Sequence, residues 1–300
     1  MKILFPATNR NHLARNQHLL DLLKEDFDVH IATYSEKNLP MTDIAVDIAT
    51  KFKKALEIKP DLVLIRGDRF ELLPVAMLSA YAGFKIAQIE AGDLSGVVDN
   101  KVRYAISHLS DYHFATNSDS AVRLFGMGFQ NVYDVGSLDV EYALSVDGDS
   151  PSSYPYILVL WHNVPGEDER ELADALKEFH GYGIVGVRGN RDYGNGNYQE
   201  VYQPDKFIRM LKNADCLVGN SSAGMKEASI LGTPVVNVGW RQQNRLKPNN
   251  VMNCECKKDQ IIKAITAQLA HKRYPQDMTY YQENTSQKIC EVIKNVIKSS

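Results

Sequence analysis

Short, dense apolar runs alternate with longer stretches in which every third or fourth position is apolar. Runs such as "KILFPA", "DVHIATY", "DLVLIRG", "KIAQIEAG", "YHFATN" and "NVYDVGS" have the length of buried strands. Between them, "HLARNQHLLDLLKED", "DIATKFKKALEIK", "ELLPVAMLSAYAG", "NKVRYAISHLS" and "DSAVRLFGMG" carry helical spacing. The stretch "SVDGDSPSSYP" is rich in Ser, Asp, Gly and Pro and reads as a linker. Beyond it the alternation restarts: strands "YILVLWH", "GIVGVRG", "CLVGN" and "TPVVNVG", helices "EDERELADALKEFH", "DKFIRMLKNA", "AGMKEASILG" and "KKDQIIKAITAQLAHK". Near-continuous apolar strands separated by helices predict parallel sheets covered on both faces. The expectation is therefore an α/β protein of two doubly wound Rossmann-like domains with a cleft between them. The first would span 1–146 and the second 147–276, with a long C-terminal helix over 277–300 crossing back to the first.

Composition narrows the function classes. The 300 residues are 44% hydrophobic and 24% charged, with a net charge of −3, which gives no electrostatic case for nucleic acid or an acidic membrane as partner. The longest apolar runs are of strand length, and "MKILFPATNR" passes from the start directly into a strand, so a cytoplasmic protein is expected. Cys216, Cys254, Cys256 and Cys290 form no C-x-x-C pair and have no His cluster nearby, which indicates neither zinc nor a disulfide framework.

In open parallel sheets ligands bind beyond the carboxyl ends of the strands. Arg10 and His12 follow the first strand, Asp68 and Arg69 follow "DLVLIRG", and Glu90 ends "KIAQI". In the second half His162 follows "YILVLW", Asn190 and Asp192 follow "GIVGVRG", and serines follow "CLVG". Each alone is compatible with a surface residue; their coincidence in both halves points to a site between domains. Asp99 lies four residues before Arg103, where the two can share a helix face. Asp68, Glu90 and Asp99, with His162, could form an acid/base set whose close carboxylates push their pKa values apart, suited to proton abstraction from carbon. Two motifs are decoys. "GYGIVG" satisfies G-x-G-x-x-G but leads into a strand instead of out of one, and "RGD" at Arg66 to Asp68 matches an adhesion tripeptide but sits at a strand end, where it reads as part of the active site.

The junction Asn220-Ser221-Ser222-Ala223-Gly224 reads as a strand-to-helix turn, with small residues that let an anion reach free N–H groups. Glu227, three residues after Gly224, faces the same way on a continuous helix and could hold ribose hydroxyls. An ordinary N-cap with a solvated Glu227 has the same local pattern.

The blocks "GDRFELLPVA", "IEAGDLSGVVDNKVRYAISHLSDYHFATN", "NVYDVGSLDVEYAL" and "VGNSSAGMKEASILGTPVVNVGWRQQNRLK" resemble UDP-N-acetylglucosamine 2-epimerases, enzymes of GT-B fold. "GDR" followed by an aromatic and Glu, with "GNSS-x-G" and "RQ-x-x-R", looks more like the hydrolysing branch that supplies N-acetylmannosamine for sialic-acid-type sugars. The resemblance implies C2 deprotonation with loss of UDP from C1 through a 2-acetamidoglucal. It implies Asp68, Glu90, Asp99 and His162 as catalytic groups. It also implies Arg10, Asn190, Ser221, Ser222, Gly224 and Glu227 at UDP, and Arg69, Arg103, Arg241 or Arg245 at sugar or phosphate. No metal or other cofactor is required, the partner is a small-molecule nucleotide sugar, and a homodimer is implied. Departures are a short segment after "HIATYSEKNLP", "WHNVPG" without the usual proline and acidic residues after the histidine, and Trp240 where an aspartate is common; these point to a related amino sugar, 6-deoxy or diacetamido. Other readings are a non-hydrolysing epimerase and, from another class, a GT-B glycosyltransferase or a non-catalytic nucleotide-sugar binder.

Overall fold

The computed structural model describes residues 1–8, 10–34, 40–67, 69–148, 154–188 and 203–298. These fall into two compact units. The first comprises Met1–Asp93, Val98–Glu141 and Gln282–Ser300, the second Leu94–Val97 and Tyr142–Tyr281. The first unit contains strands β1 (Lys2–Ala7), β2 (Asp28–Thr33), β3 (Leu62–Arg66), β4 (Lys85–Ala91), β5 (Tyr112–Ala115) and β6 (Val132–Asp134). Helices α1 (Arg10–Arg15), α2 (Gln17–Lys24), α3 (Met41–Ala55), α4 (Leu72–Tyr81), α5 (Asp99–Leu109) and α6 (Ser118–Gly126) alternate with them. Helix α7 (Leu138–Ser145) leads out of this unit. The second contains β7 (Tyr156–Trp161), α8 (Glu169–Leu176), β8 (Gly183–Arg188), α9 (Pro204–Asn213), β9 (Cys216–Gly219), α10 (Glu227–Leu231), β10 (Val235–Val238), β11 (Val251–Cys254) and α11 (Lys258–His271). Helix α12 (Thr285–Lys298) belongs to the first unit.

Both sheets are parallel throughout. The first runs β2-β1-β3-β4-β5-β6 and the second β11-β10-β9-β7-β8. In each, the strand order reverses beside the first strand of the unit, at β1/β3 and at β7/β9. That reversal opens a crevice at the carboxyl ends of the strands, the usual place for a ligand in this architecture. In the first sheet alternate residues feed opposite layers. Ile3, Phe5, Leu62 and Leu64 pack with Leu19, Leu20 and Leu23 of α2 and Ile289 and Ile293 of α12. Leu4, Val63 and Ile65 pack with Phe52 of α3, Val75 of α4 and Ile106 of α5. In the second sheet Ile157, Val159, Val218 and Val236 meet Leu172 of α8 and Ile261 and Ile265 of α11.

The structure departs from the sequence expectations in four places. The long helix after β1 is two, divided at Asn16, whose backbone (φ −103°, ψ 0°) leaves the helical basin. Helix α7 and strand β11 are additional to the expected elements. The supposed helix "AGMKEASILG" is a 3₁₀ turn at Ser222–Gly224, a break at Lys226 (ψ −77°) and a short α10. Gly232 does end it as expected, in the left-handed region at φ 67°. Among the described residues no helix is long and apolar enough to cross a membrane.

Candidate functional site

In the first unit the chemistry gathers at the ends of β3 and β4. Strand β4 pairs with β5 through Ile89↔Phe114 and then Ala91↔Ala115, so Glu90 is the extra residue of a β-bulge. Its backbone is left-handed at φ 65°. A non-glycine residue held there by pairing on both sides is a device for redirecting a side chain. The Glu90 carboxylate meets Arg66, the last residue of β3. Arg66 Nε and Nη2 donate to Glu90 Oε1 at 3.2 and 3.0 Å, and Nη2 also donates to Asp139 Oδ1 at 2.6 Å. Arg66 Nη1 donates to Asn16 Oδ1 at 3.0 Å, and Arg15 Nη1 reaches Asp139 Oδ1 at 3.3 Å. Arg66 is only 4% exposed. Burial opposes its charge, and Asp139 and Glu90 together outweigh that cost, so the guanidinium is held firmly protonated. His12 answers the same field in reverse. Burial first, then Arg66 and Arg69, lower it from its ordinary 6.5 to about 3, so the ring is neutral at physiological pH. Its Nδ1 accepts the Thr8 N–H at 3.4 Å.

The other first-unit candidates are placed as follows. Asp99 opens α5, half-buried. Arg103, buried on the same helix, donates to the Asp93 carbonyl at 2.7 Å and to Asn100 Oδ1 at 2.8 Å. Asp93 in turn accepts from Thr116 and Ser120 hydroxyls at 3.1 and 3.2 Å, which anchors the loop after the bulge. Arg69 grips Glu71 through Nε and Nη2. Arg10 contributes its backbone to α1, and its side chain lies outside the described part of the structure, as do Asp68 and Asn190.

In the second unit the ends of β7 and β9 are tied together by a reciprocal pair. His162 N–H donates to Asn220 Oδ1, and Asn220 Nδ2 donates to the His162 carbonyl, both at 2.8 Å. Asn220 is fully buried, and its own carbonyl accepts from Arg241 Nη1 at 3.1 Å and Gln242 Nε2 at 2.9 Å. Gly219, just before it, has φ 146°, and a Cβ there would lie 2.1 Å from the Leu160 carbonyl oxygen. The close approach of β9 to β7 therefore requires glycine. Ser221 and Ser222 follow, half-buried, with Ser221 Oγ accepting from Ala223 N–H at 3.3 Å. Gly224 has a packing reason of its own, since a Cβ would come within 2.8 Å of Val235 Cγ1. Glu227 is buried at the start of α10, beyond the break at Lys226 instead of continuous with the turn. Arg245 lies half-buried in the turn after Arg241.

Sequence reasoning missed Glu167. Its Oε1 accepts the Trp240 N–H at 2.7 Å. Burial raises its carboxyl above the ordinary value, opposed by bonds from Trp240 and Asn220 and by Arg241. It also missed Asp139 and Asn16, and Arg66 entered only within the strand-end "RGD" tripeptide, with no role of its own. One signal was present: an arginine inside the apolar run "DLVLIRG" must find buried acceptors. Among the described residues no group of three or more His, Cys, Asp or Glu is arranged to hold a metal ion.

Comparison with known proteins places this geometry. A family model described as UDP-N-acetylglucosamine 2-epimerase matches residues 8–294. The chain is 31% identical over 274 residues to the UDP-N-acetylglucosamine 2-epimerase of Neisseria meningitidis serogroup B, covering 80% of this chain and 72% of that protein. It is 30% identical over 275 residues to the UDP-N,N'-diacetylbacillosamine 2-epimerase (hydrolyzing) of Legionella pneumophila, covering 79% and 71%. Among solved structures, the S. aureus MnaA–UDP complex matches with a TM-score of 0.83 at 16% identity, covering 99% of this chain and 97% of that one. The two parallel α/β units are thus Rossmann-like domains of the GT-B-like kind. A family match over nearly the whole chain, joined to a relative above 30% identity across most of it, means that the chain belongs to the UDP-N-acetylglucosamine 2-epimerase family.

Proposed function

We propose that the chain epimerises UDP-GlcNAc, or a related UDP-amino sugar, at C2, with a hydrolytic outcome. The observation that carries this reading is Glu90: a carboxylate redirected by a β-bulge and gripped by Arg66 at a sheet's carboxyl edge. Positioned carboxylates are what proton abstraction from carbon needs. In the proposed first step a base of the Asp68, Glu90 and Asp99 set removes the C2 proton. The C–H electrons form the C1=C2 bond, and the C1–O bond to UDP breaks. In the second step the 2-acetamidoglucal regains a proton at C2 on the opposite face and takes hydroxide from water at C1, giving N-acetylmannosamine and free UDP. Ser221 and Ser222 would receive the diphosphate and Glu227 the ribose, with Arg10, Arg241 and His162 supporting charge on the leaving group.

The hydrolytic outcome is favoured by the "GDRFE" and "GNSSAG" blocks and by the likeness to the hydrolysing Legionella enzyme. The second reading is a non-hydrolysing outcome, in which UDP adds back at C1; the name of the Neisseria relative, UDP-N-acetylglucosamine 2-epimerase, fits either outcome. Proton NMR of the protein with UDP-GlcNAc in heavy water separates them. Free UDP with C2-deuterated N-acetylmannosamine supports hydrolysis, whereas deuterated UDP-ManNAc without free UDP replaces it with the second reading. Absence of both exchange and UDP release removes UDP-GlcNAc as the substrate.

A further inference from the structure

Arg66 stands where nothing in the general chemistry of elimination demands an arginine. It ends an apolar strand, and its guanidinium is almost completely removed from solvent. Such a side chain persists only when its donors are met. Here they are met from separate elements: Asn16 at the break between α1 and α2, Asp139 in the first turn of α7, and Glu90 on the bulge. Asp139 is further braced by Arg15. The fork is therefore fixed by Asn16 and Asp139 independently of Glu90. Two of its N–H groups converge on one oxygen of Glu90, Oε1. The other oxygen, Oε2, is thereby directed toward Gly67, at the end of β3, where a Cβ would sit 4.0 Å from it.

We infer that Arg66 is a positioning residue for Glu90, a clamp anchored by Asp139 and Asn16 that fixes the direction of the Glu90 carboxylate for transfer of the C2 proton. The inference rests on the epimerase reading of Glu90. A purely structural role would be different: Arg66 would only neutralise Asp139, and any replacement that balances the charge would serve. A lysine has a point charge and no fork, so it can neutralise without orienting.

The test compares wild type with Arg66→Met, Arg66→Lys and the double variant Arg66→Met/Asp139→Leu, in which the buried carboxylate of residue 139 is removed together with its cation. C2 deuterium incorporation from UDP-GlcNAc in heavy water gives kcat and KM, calorimetry gives UDP affinity, and circular dichroism gives folding. Clamping predicts a kcat about a hundredfold lower in the double variant, with KM and UDP affinity within about twofold of wild type. Arg66→Lys should be folded and intermediate, about tenfold down. Should Arg66→Met alone fail to fold, the double variant and Arg66→Lys still decide. A folded double variant, or Arg66→Lys, with wild-type kcat overturns the clamp. A wild-type protein without C2 exchange removes UDP-GlcNAc as the substrate, and with it the reading on which the clamp rests; exchange in wild type that all three variants keep at the wild-type rate overturns the clamp alone.

Discussion

Replacing Asn220 by alanine should strongly destabilise the second unit. The Asn220 side chain makes two 2.8 Å bonds to the backbone of His162, one as acceptor and one as donor, in a fully buried setting. Alanine leaves both His162 main-chain groups without their partner and also withdraws a bond from Glu167. Each orphaned buried group costs about 1–3 kcal/mol, so the sum for the two is about 2–6 kcal/mol. Trp161 and Trp240 are the chain's two tryptophans, and both lie in the second unit. Tryptophan fluorescence during urea unfolding therefore reports that unit. With a slope of about 2 kcal/mol per molar, the midpoint should fall by about 1–3 M. Asn220→Asp adds a sign test. It keeps an acceptor for the His162 N–H, loses the donor to the His162 carbonyl, and places a second carboxyl near Glu167. That carboxyl has a raised folded pKa, so its variant should be most stable at low pH and lose stability as pH rises through the folded value. A midpoint shift below about 0.3 M for Asn220→Ala, with unchanged slope, would refute the idea that the reciprocal pair holds the ends of β7 and β9.

Other perturbations are equally direct. His12, lowered to about 3 from 6.5, is neutral when folded, so unfolding takes up a proton between those values and stability falls as pH drops through that window. The slope attributable to one proton is about 1.4 kcal/mol per pH unit, and it should disappear in His12→Asn when urea midpoints are compared between pH 6.5 and 4.5. Gly96→Ala would bring a Cβ to 2.0 Å from the Trp240 carbonyl oxygen, so the backbone there must shift; Trp240 emission should move, with a loss of about 1–3 kcal/mol, and an unchanged spectrum and midpoint would contradict the contact. Glu141 accepts from the Ser286 N–H at 3.0 Å and from its hydroxyl, which caps the first turn of α12 from outside. Glu141→Ala should cost about 1–2 kcal/mol, measured as faster amide exchange confined to the start of α12.

Much of the fold was legible because the strands that carry it are buried on both faces, so "DLVLIRG" and "YILVLW" are nearly continuous apolar runs. Strand β11 escaped because its middle residues, Met252 and Asn253, are exposed, which dissolves the run. Helix α7 is short and lies next to the Ser- and Pro-rich stretch, so its local composition favours a loop. The break in "AGMKEASILG" falls at Lys226, a good helix former that is buried in the structure, and nothing in the local pattern marks it. For the candidate site, polar residues at strand ends could be read off, and Glu90, His162 and the serine turn came out that way. What joins them could not. The bulge at Glu90 exists only in the register between β4 and β5, and Asn220 reaches a histidine 58 positions earlier. Arg66 meets Asp139 at a separation of 73. Such pairs are decided by the assembled sheet, and a single sequence holds no periodicity that would reveal them.

The first unit is threaded from three stretches of chain, and the last of them supplies Ile289, Cys290, Ile293 and Ile297 to the cluster around Leu19, Leu20 and Leu23. During synthesis the whole run from Tyr142 to Tyr281 must emerge before those residues exist. At ordinary elongation rates that interval is on the order of ten seconds. For that time the face of the first sheet that α2 covers lacks its second helix, and by its end the second unit has all of its own core. The half that is encoded later therefore completes its core before the half that is encoded first.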